Sequence, residues 1–148
     1  MQTLKHVFIL ILPICFLACN ISPKAINYGQ DGCHYCKMTI VDKVHAAEIV
    51  TKKGKAYKFD ASECMIHFLG EADAPSKTEI ALYLSNNYTE PETLIDATTA
   101  TFLISKNIPS PMGAFLSAFK LEENAKQAQN EKGGKLYTWD ELLAHFNK

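Results

Sequence analysis

The stretch from Ala56 to Gly70, AYKFDASECMIHFLG, contains a change from strand to helix that decides the fold of the first half of the chain. Ala56–Phe59 is short and apolar-biased, which is typical of a strand. Asp60 and Glu63 have the spacing of a capping box at a helix N-terminus. Gly70 marks the end of that helix. Apolar residues recur between these two signals at helical spacing, namely Met65, Ile66, Phe68 and Leu69.

Strands are predicted on both sides of this helix. Ala46–Val50 precedes Ala56–Phe59 across a lysine-rich turn, Lys52–Lys55, so the two form a predicted hairpin. Ile80–Leu84 is a further apolar run and reads as a strand. The first half of the chain is therefore predicted as β-β-α-β.

The second half has a similar order of elements. Leu94–Ile95 and Thr98–Ile104 are rich in the β-branched residues that favour strands. Leu121–Lys132 is polar and helical and ends at Gly133-Gly134. Lys135–Trp139 suits a last strand or turn. Thr138 and Glu141 form a second capping box, which opens a C-terminal helix. We predict an α+β domain made of two related β-β-α-β units followed by this C-terminal helix.

The N-terminus predicts export. Residues 1–18 have one early lysine and an apolar run, Val7–Ala18, that is shorter than the roughly 20 apolar residues needed to cross a bilayer. These are features of a cleaved signal peptide. The run Phe16-Leu17-Ala18-Cys19 resembles the lipobox of bacterial lipoproteins, which implies that Cys19 is lipidated and becomes the new N-terminus. An ordinary signal peptide that leaves Cys19 free is the alternative.

Three regions follow from this interpretation: a signal peptide over 1–18, a lipidated N-terminus and tether over 19–30, and a metal-binding α+β domain over 31–148. The expected location is the periplasmic face of the inner or the outer membrane, with the lipid as the membrane anchor. Without Lys5, fourteen lysines face sixteen acidic residues, and the chain has no arginine. A nucleic-acid partner is therefore not expected.

The cysteine count indicates a metal. After the signal peptide and the lipidated Cys19 are set aside, Cys33, Cys36 and Cys64 remain, an odd number for an exported protein. The segment Cys33-His34-Tyr35-Cys36-Lys37-Met38 adds a thioether, a soft neutral donor that suits Cu(I) better than Zn(II). On an extended strand residues i and i+2 share a face, so we expect Cys36 and Met38 to bind one ion together.

The order of motifs resembles that of NosL-type copper lipoproteins, accessory proteins of nitrous oxide reductase. The matching elements are Cys33–Met38, Phe59-Asp60 with Cys64-Met65, Ile95–Ala97, Pro111–Gly113 and Gly133–Lys135.

This resemblance implies a fold of two β-β-α-β halves and a chaperone that hands Cu(I) to the reductase, with an ABC-type assembly transporter as a further partner. It implies Cys36 and Met38 as copper ligands and Met112, the methionine of the Pro-Met-Gly element, as a third. Three further residues are candidate copper donors: Cys33, Cys64 and Met65.

Two rival interpretations are open. Cys33 and Cys36 with Cys64 and His67 form a Cys₃His set that would suit a structural zinc site in an exported interaction protein. Alternatively, Cys33 and Cys36 would be the redox pair of a thiol oxidoreductase, although such pairs normally open a helix and these follow a loop. We find no phosphate-binding loop and no nucleophile–base motif, so we do not expect an enzyme.

The lipid attachment can be tested by replacing Cys19 with Ser. Because the acyl chains are joined through this residue, the variant should be unprocessed or released from the membrane, and it should incorporate no labelled fatty acid. Fractionation and metabolic labelling of cells measure both properties. Continued labelling of the variant would contradict lipidation at Cys19.

Overall fold

A computed structural model describes residues 21–147. The predicted signal peptide and Cys19 lie outside the described residues. Within the described part of the chain, none of the helices has the length and apolar character needed to span a membrane. The described chain contains seven strands and three helices: β1 Ala47–Thr51, β2 Ala56–Phe59, α1 Ser62–Phe68, β3 Ile80–Asn87, β4 Glu90–Asp96, β5 Thr101–Ile104, β6 Leu116–Phe119, α2 Glu122–Lys132, β7 Lys135–Tyr137 and α3 Trp139–Phe146.

The seven strands form one sheet in the order β2-β1-β3-β6-β5-β7, with β4 paired to β3. In the first half β1 lies between β2 and β3, antiparallel to both. In the second half β5 lies between β6 and β7, again antiparallel to both. The halves meet where β3 runs parallel to β6 at Asn87 and Ala118. The predicted pair of β-β-α-β units followed by a C-terminal helix is therefore confirmed.

One strand was not predicted, and another is much longer than predicted. β6 was not predicted, because its sequence LSAF contains Ser and Ala, which signal a strand weakly. β4 is longer than the predicted Leu94–Ile95 and contains Pro91 and a left-handed Glu92. Its register with β3 shifts between Asn86 and Asn87, and proline is accepted in strands at such irregular or edge positions. β4 is an extension of the first unit, lying between the two units in the sequence.

The start of α1 differs from the prediction. Its N-cap is Ala61, and no side chain caps it, so the predicted capping box of Asp60 and Glu63 is wrong. Both carboxylates are buried instead, and each has one oxygen without a hydrogen-bond partner among the described residues. Asp60 accepts a hydrogen bond from the backbone N–H of Val41, which draws its side chain away from the helix end. The second capping box, Thr138 with Glu141 at α3, is confirmed.

Helices cover both faces of the sheet in the second unit. Phe102 of β5 belongs to the main core, to which the residues of α1 and α3 also belong. Its neighbour Leu103 points to the opposite face and packs with Phe119 and with Ala125 of α2. The main core therefore lies under α1 and α3, and α2 covers the reverse side.

Part of the segment suggested by the sequence as a tether packs on the domain. The backbone N–H of Lys24 donates to Glu48 at 2.8 Å, and Glu48 is completely buried in β1. The Tyr28 hydroxyl accepts a hydrogen bond of 2.7 Å from Asn86 of β3. The chain is thus attached to the sheet from about Lys24 onward.

An Asp-His-Ser arrangement joins the two units. His45 Nδ1 lies 3.0 Å from Asp42 Oδ2, and His45 Nε2 lies 3.2 Å from the Ser117 hydroxyl of β6. Ser117 is only 1% exposed, so its hydroxyl cannot meet a substrate. We therefore interpret this network as a structural link rather than a catalytic triad.

We expect alanine to destabilise the protein more at Gly134, which lies against the end of β5, than at Gly54, which lies in an open turn. A Cβ at Gly134 (φ +106°) would overlap the Ile104 carbonyl oxygen and lie 2.9 Å from Ser105 Cβ, whereas one at Gly54 (φ +79°) would meet nothing within 4 Å. Gly54→Ala should lower the free energy of unfolding by about 1 kcal/mol from its left-handed backbone alone. Gly134→Ala should lower it by at least about 2 kcal/mol more, because backbone atoms of β5 must move. Urea unfolding of the two variants measures the difference, and equal losses would show that β7 adjusts freely.

Candidate metal centre

Three thiols converge at one corner of the first unit. The sulfur atoms of Cys33, Cys36 and Cys64 all lie within 4.8 Å of one another. All three cysteines are free. With metal–sulfur bonds of about 2.3 Å, three sulfurs that surround one ion stand about 4 Å apart. The group therefore fits a single thiolate-bound metal ion with only small movements.

The loop that carries two of these cysteines is closed by its own backbone. The Cys33 N–H donates to the Met38 carbonyl at 2.7 Å, and the Lys37 N–H donates back to the Cys33 carbonyl at 3.1 Å. Lys37 has a left-handed backbone with φ +65°. The loop is therefore a tight turn, and the expected extended strand that would point Cys36 and Met38 to one face is wrong. A left-handed residue between the two ends the alternation on which that expectation depended.

Backbone N–H groups of this turn point at the sulfur atoms. Cys33 Sγ accepts from the N–H groups of Cys36 and Asp60, and Cys36 Sγ accepts from the N–H of Met38. Such bonds favour the charged form of a thiol, which is also the form that binds metals. The turn is thus preorganised around sulfur before any ion arrives.

The three thiols share their protons unequally. A hydrogen bond from the Cys64 thiol, supported by the backbone N–H groups of Asp60 and Cys36, lowers the pKa of Cys33 to about 5 against the opposing effect of burial. Donating that hydrogen bond and being buried both raise the pKa of Cys64. Burial also raises the pKa of Cys36, and the neighbouring Cys33 adds to this effect. The surroundings therefore favour the thiolate form at Cys33 over the thiolate form at Cys36 or Cys64.

The helix α1 brings Cys64 to this turn. Its residues from Ser62 to Ile66 are buried, and Cys64 is 0% exposed. The turn is attached to the strand before α1, because the His34 N–H donates to the Lys58 carbonyl of β2 at 2.8 Å. Met65, a further candidate donor, is fully buried in the main hydrophobic core.

The two other candidate methionines lie at the surface. Met38 is 54% exposed and Met112 is 39% exposed. Met112 lies on the loop between β5 and β6. Ser110 attaches this loop to α1, since its hydroxyl donates to Glu63, the residue before Cys64, and accepts from the Phe115 N–H. The second unit thus delivers its methionine loop to the helix that carries Cys64.

His67, the histidine of the predicted zinc set, does not join the thiols. It is exposed on α1, where its ring stacks on Tyr35 at 5.7 Å and meets Phe146 edge-on at 5.5 Å. Among the described residues, no histidine or carboxylate completes the group of three cysteines. Structural zinc sites are almost always four-coordinate, so the Cys₃His prediction lacks its fourth ligand. Sequence reasoning did not foresee the burial of Cys33 and Cys64, which depends on packing across the sheet.

Fold and site together define a class of protein: an α+β metal-binding domain with a soft, sulfur-only donor set. The chain belongs to the NosL family, whose model matches residues 23–146. The fold is similar to the crystal structure of the copper chaperone NosL from Shewanella denitrificans, with a TM-score of 0.69 and 24% sequence identity over 82% of this chain and 95% of that chain. A comparison with curated proteins found no match.

The roles of Cys64 and His67 can be separated by substitution. Cys64→Ser should weaken metal binding by at least about 100-fold, because it removes one of three converging donors. His67→Ala should leave affinity within about threefold, because its ring only packs on aromatic neighbours. Titration of the reduced protein with Zn(II), and with Cu(I) in competition with a chelator, measures both effects. An equally large loss in His67→Ala would restore the Cys₃His site.

Proposed function

We propose that this chain is an exported, lipid-anchored protein that binds Cu(I) and passes it to a copper enzyme, nitrous oxide reductase. The observation that carries the proposal is the convergence of three cysteine sulfurs, one of them two residues before the exposed Met38, in a chain of the NosL family. The related NosL structure from Shewanella denitrificans is that of a copper chaperone. The copper ion is the cargo of the protein, not a resident cofactor.

The donor chemistry supports Cu(I) over other ions. Thiolates and thioethers are soft ligands that select Cu(I), whereas Zn(II) gains little from a thioether. We propose Cys36, Met38 and Met112 as copper donors, with Cys33 and Cys64 as additional thiolates. Cys36 is central, because it belongs both to the thiol group and to the Cys-x-Met motif. The buried Met65 is assigned to the core instead.

A protein that only carries a metal ion needs a site that binds the ion, and it needs no catalytic groups. Of the three cysteines, Cys33 and Cys64 are buried and Cys36 is half-buried. In the Asp42-His45-Ser117 arrangement, the serine hydroxyl that a nucleophile would require is buried. We therefore propose a non-catalytic role, with delivery to the reductase on the periplasmic side and an ABC-type transporter as a second assembly partner. The lipid on Cys19 would keep the carrier at the membrane surface where such assembly takes place.

The proposed selectivity can be tested with the reduced mature protein. It should take up one Cu(I), and a roughly thousandfold excess of Zn(II) should not displace that ion, because the sulfur set favours the softer metal. Cys36→Ser should weaken Cu(I) binding by at least about 100-fold.

His145→Ala is the matched control for this variant and should leave Cu(I) binding unchanged. It removes an imidazole from α3, where the ring packs on Tyr137 and Phe146. Competition titrations and metal analysis measure these outcomes.

Delivery needs a separate experiment. The Cu(I)-loaded protein should restore activity to copper-free nitrous oxide reductase, and the Cys36→Ser variant should not. A protein that holds Zn(II) tightly and yields it to no amount of Cu(I) would replace this proposal with the structural-zinc alternative. Tight Cu(I) binding without delivery to the reductase would keep the copper site and exclude this acceptor.

A further inference from the structure

The hairpin between β1 and β2 presents a group of lysines to solvent. Lys52, Lys53 and Lys55 are all exposed, and none of them forms an ion pair with a carboxylate within the described part of the chain. The whole chain has a net charge of -1, so this positive edge is a local feature of the surface. Neighbouring ammonium groups repel one another, and an anionic partner relieves that repulsion.

These lysines line a cleft of about 480 Å³, named the lysine cleft below. The Tyr57 ring belongs to the same lining, and the Lys55 ammonium lies over it, 4.4 Å from the ring centroid. Ala74 and Pro75, from the loop after α1, also line the cleft. Positive charge and apolar surface are therefore combined in one concave site.

Two carboxylates also line the lysine cleft, but they do not neutralise it. Glu79 accepts hydrogen bonds from the N–H and the hydroxyl of Ser76, at 2.9 and 2.8 Å, so it is held by its own loop. Asp73 lines both the lysine cleft and a smaller depression beside His34 and Lys37. Three lysines against two carboxylates leave a positive balance in the lysine cleft.

The lysine cleft lies next to the turn that carries Cys36. The rings of His34 and Tyr57 meet edge-on with their centroids 4.7 Å apart. The Lys37 ammonium donates a hydrogen bond to the His34 carbonyl. A partner that occupies the lysine cleft is therefore placed beside the metal-binding turn.

The lysine cleft and the N-terminal segment lie on opposite faces of the sheet. Tyr57 belongs to the main core under α1, whereas its neighbour Lys58 points to the reverse face and donates to the Ala25 carbonyl. Glu48 lies opposite Lys58 in β1 and accepts from the Lys24 N–H on that reverse face. The proposed lipid anchor precedes this segment by a few residues, which favours a protein over a membrane as the occupant of the lysine cleft.

β2 also offers backbone groups to an extended segment. It is the outer strand of the sheet. The Lys58 carbonyl points away from β1 and accepts the His34 N–H, and Ala56, two residues earlier, faces the same way. An extended peptide can pair with such an edge through its main chain while its side chains enter neighbouring pockets.

We propose that the lysine cleft is the docking surface for an acidic segment of the protein that receives the copper ion. The segment lies extended beside β2 and places its carboxylates among the ammonium groups of Lys52, Lys53 and Lys55. The identity of the partner rests on the proposed copper-carrying function, whereas the binding of an acidic segment does not require copper. Because the contact is electrostatic, it speeds association and weakens as the salt concentration rises.

A fluorescently labelled oligoglutamate peptide tests this docking on the reduced, metal-free protein. The triple variant Lys52→Gln, Lys53→Gln, Lys55→Gln should bind the peptide at low salt at least about tenfold more weakly, a loss of about 1.4 kcal/mol. Asp73→Asn removes a negative charge from the same cleft and should strengthen binding by about twofold. Fluorescence anisotropy measures the affinities, and carbodiimide crosslinking with mass spectrometry identifies the lysines that meet the peptide.

The matched control replaces Lys120, Lys132 and Lys135 with Gln. All three are exposed in the second unit, and Lys135 lies over the Tyr137 ring, 4.9 Å from its centroid. This control changes the net charge by the same amount and also removes an ammonium from an aromatic ring. It should bind the peptide within about twofold of the wild type, because attraction falls off over roughly a Debye length. Equal losses in both triple variants would show a non-specific attraction and overturn the proposal.

Copper measurements separate a failure of this inference from a failure of the proposed function. The cleft variant should keep its Cu(I) affinity within about threefold, because no donor is changed, and should deliver Cu(I) to copper-free reductase at least about tenfold more slowly at low salt. An unchanged delivery rate would overturn the docking surface. Tighter binding of the same lysines to vesicles of anionic phospholipid than to the peptide would make it a membrane contact instead. Peptide binding in the cleft by a wild type that takes up no Cu(I) would refute the copper function and support the acidic-segment site.

Discussion

The metal-binding corner depends on the position of β1 at the centre of the first unit. All five residues of this strand are buried, and it pairs with β2 on one side and with β3 on the other. Because β1 fixes β2, it also fixes the Lys58 carbonyl that accepts the His34 N–H and the point at which the chain turns into α1. The turn with Cys33 and Cys36 and the helix with Cys64 are therefore held by the same two strands. The three sulfurs come together because both of their supports are tied to one central strand.

Much of the fold follows from local sequence signals. The hairpin of β1 and β2, the polar helix α2 and the capping box of α3 all agree with the pattern of their residues. These signals arise within a few residues of each other, so no knowledge of packing is needed to read them. β6 is different, since its Leu116 and Phe119 are separated by Ser117 and Ala118, and it is the pairing with β5 and with β3 that makes this segment a strand.

The site was predictable in its chemistry but not in its geometry. The grouping of cysteines and methionines indicates a soft metal whatever the path of the backbone, because the preference depends on sulfur being the ligand atom. The path of the backbone depends on Lys37, a non-glycine residue in a left-handed conformation that no simple pattern identifies. In the same way, Asp60 and Glu63 have the spacing of caps but are buried, since Val41 and Ser110 bind them from distant parts of the chain.

The two units share a topology, yet the thiols occur in only one of them. In the second unit α2 begins with Glu122 and Glu123 and carries no cysteine, and its helix faces the reverse side of the sheet. What the second unit contributes is the long connection between β5 and β6, which Ser110 ties to Glu63 beside Cys64. Within the described part of the chain, the second unit adds no further cluster of metal-binding side chains. It provides the loop that carries Met112, which the hydrogen bond from Ser110 to Glu63 ties to the helix of Cys64.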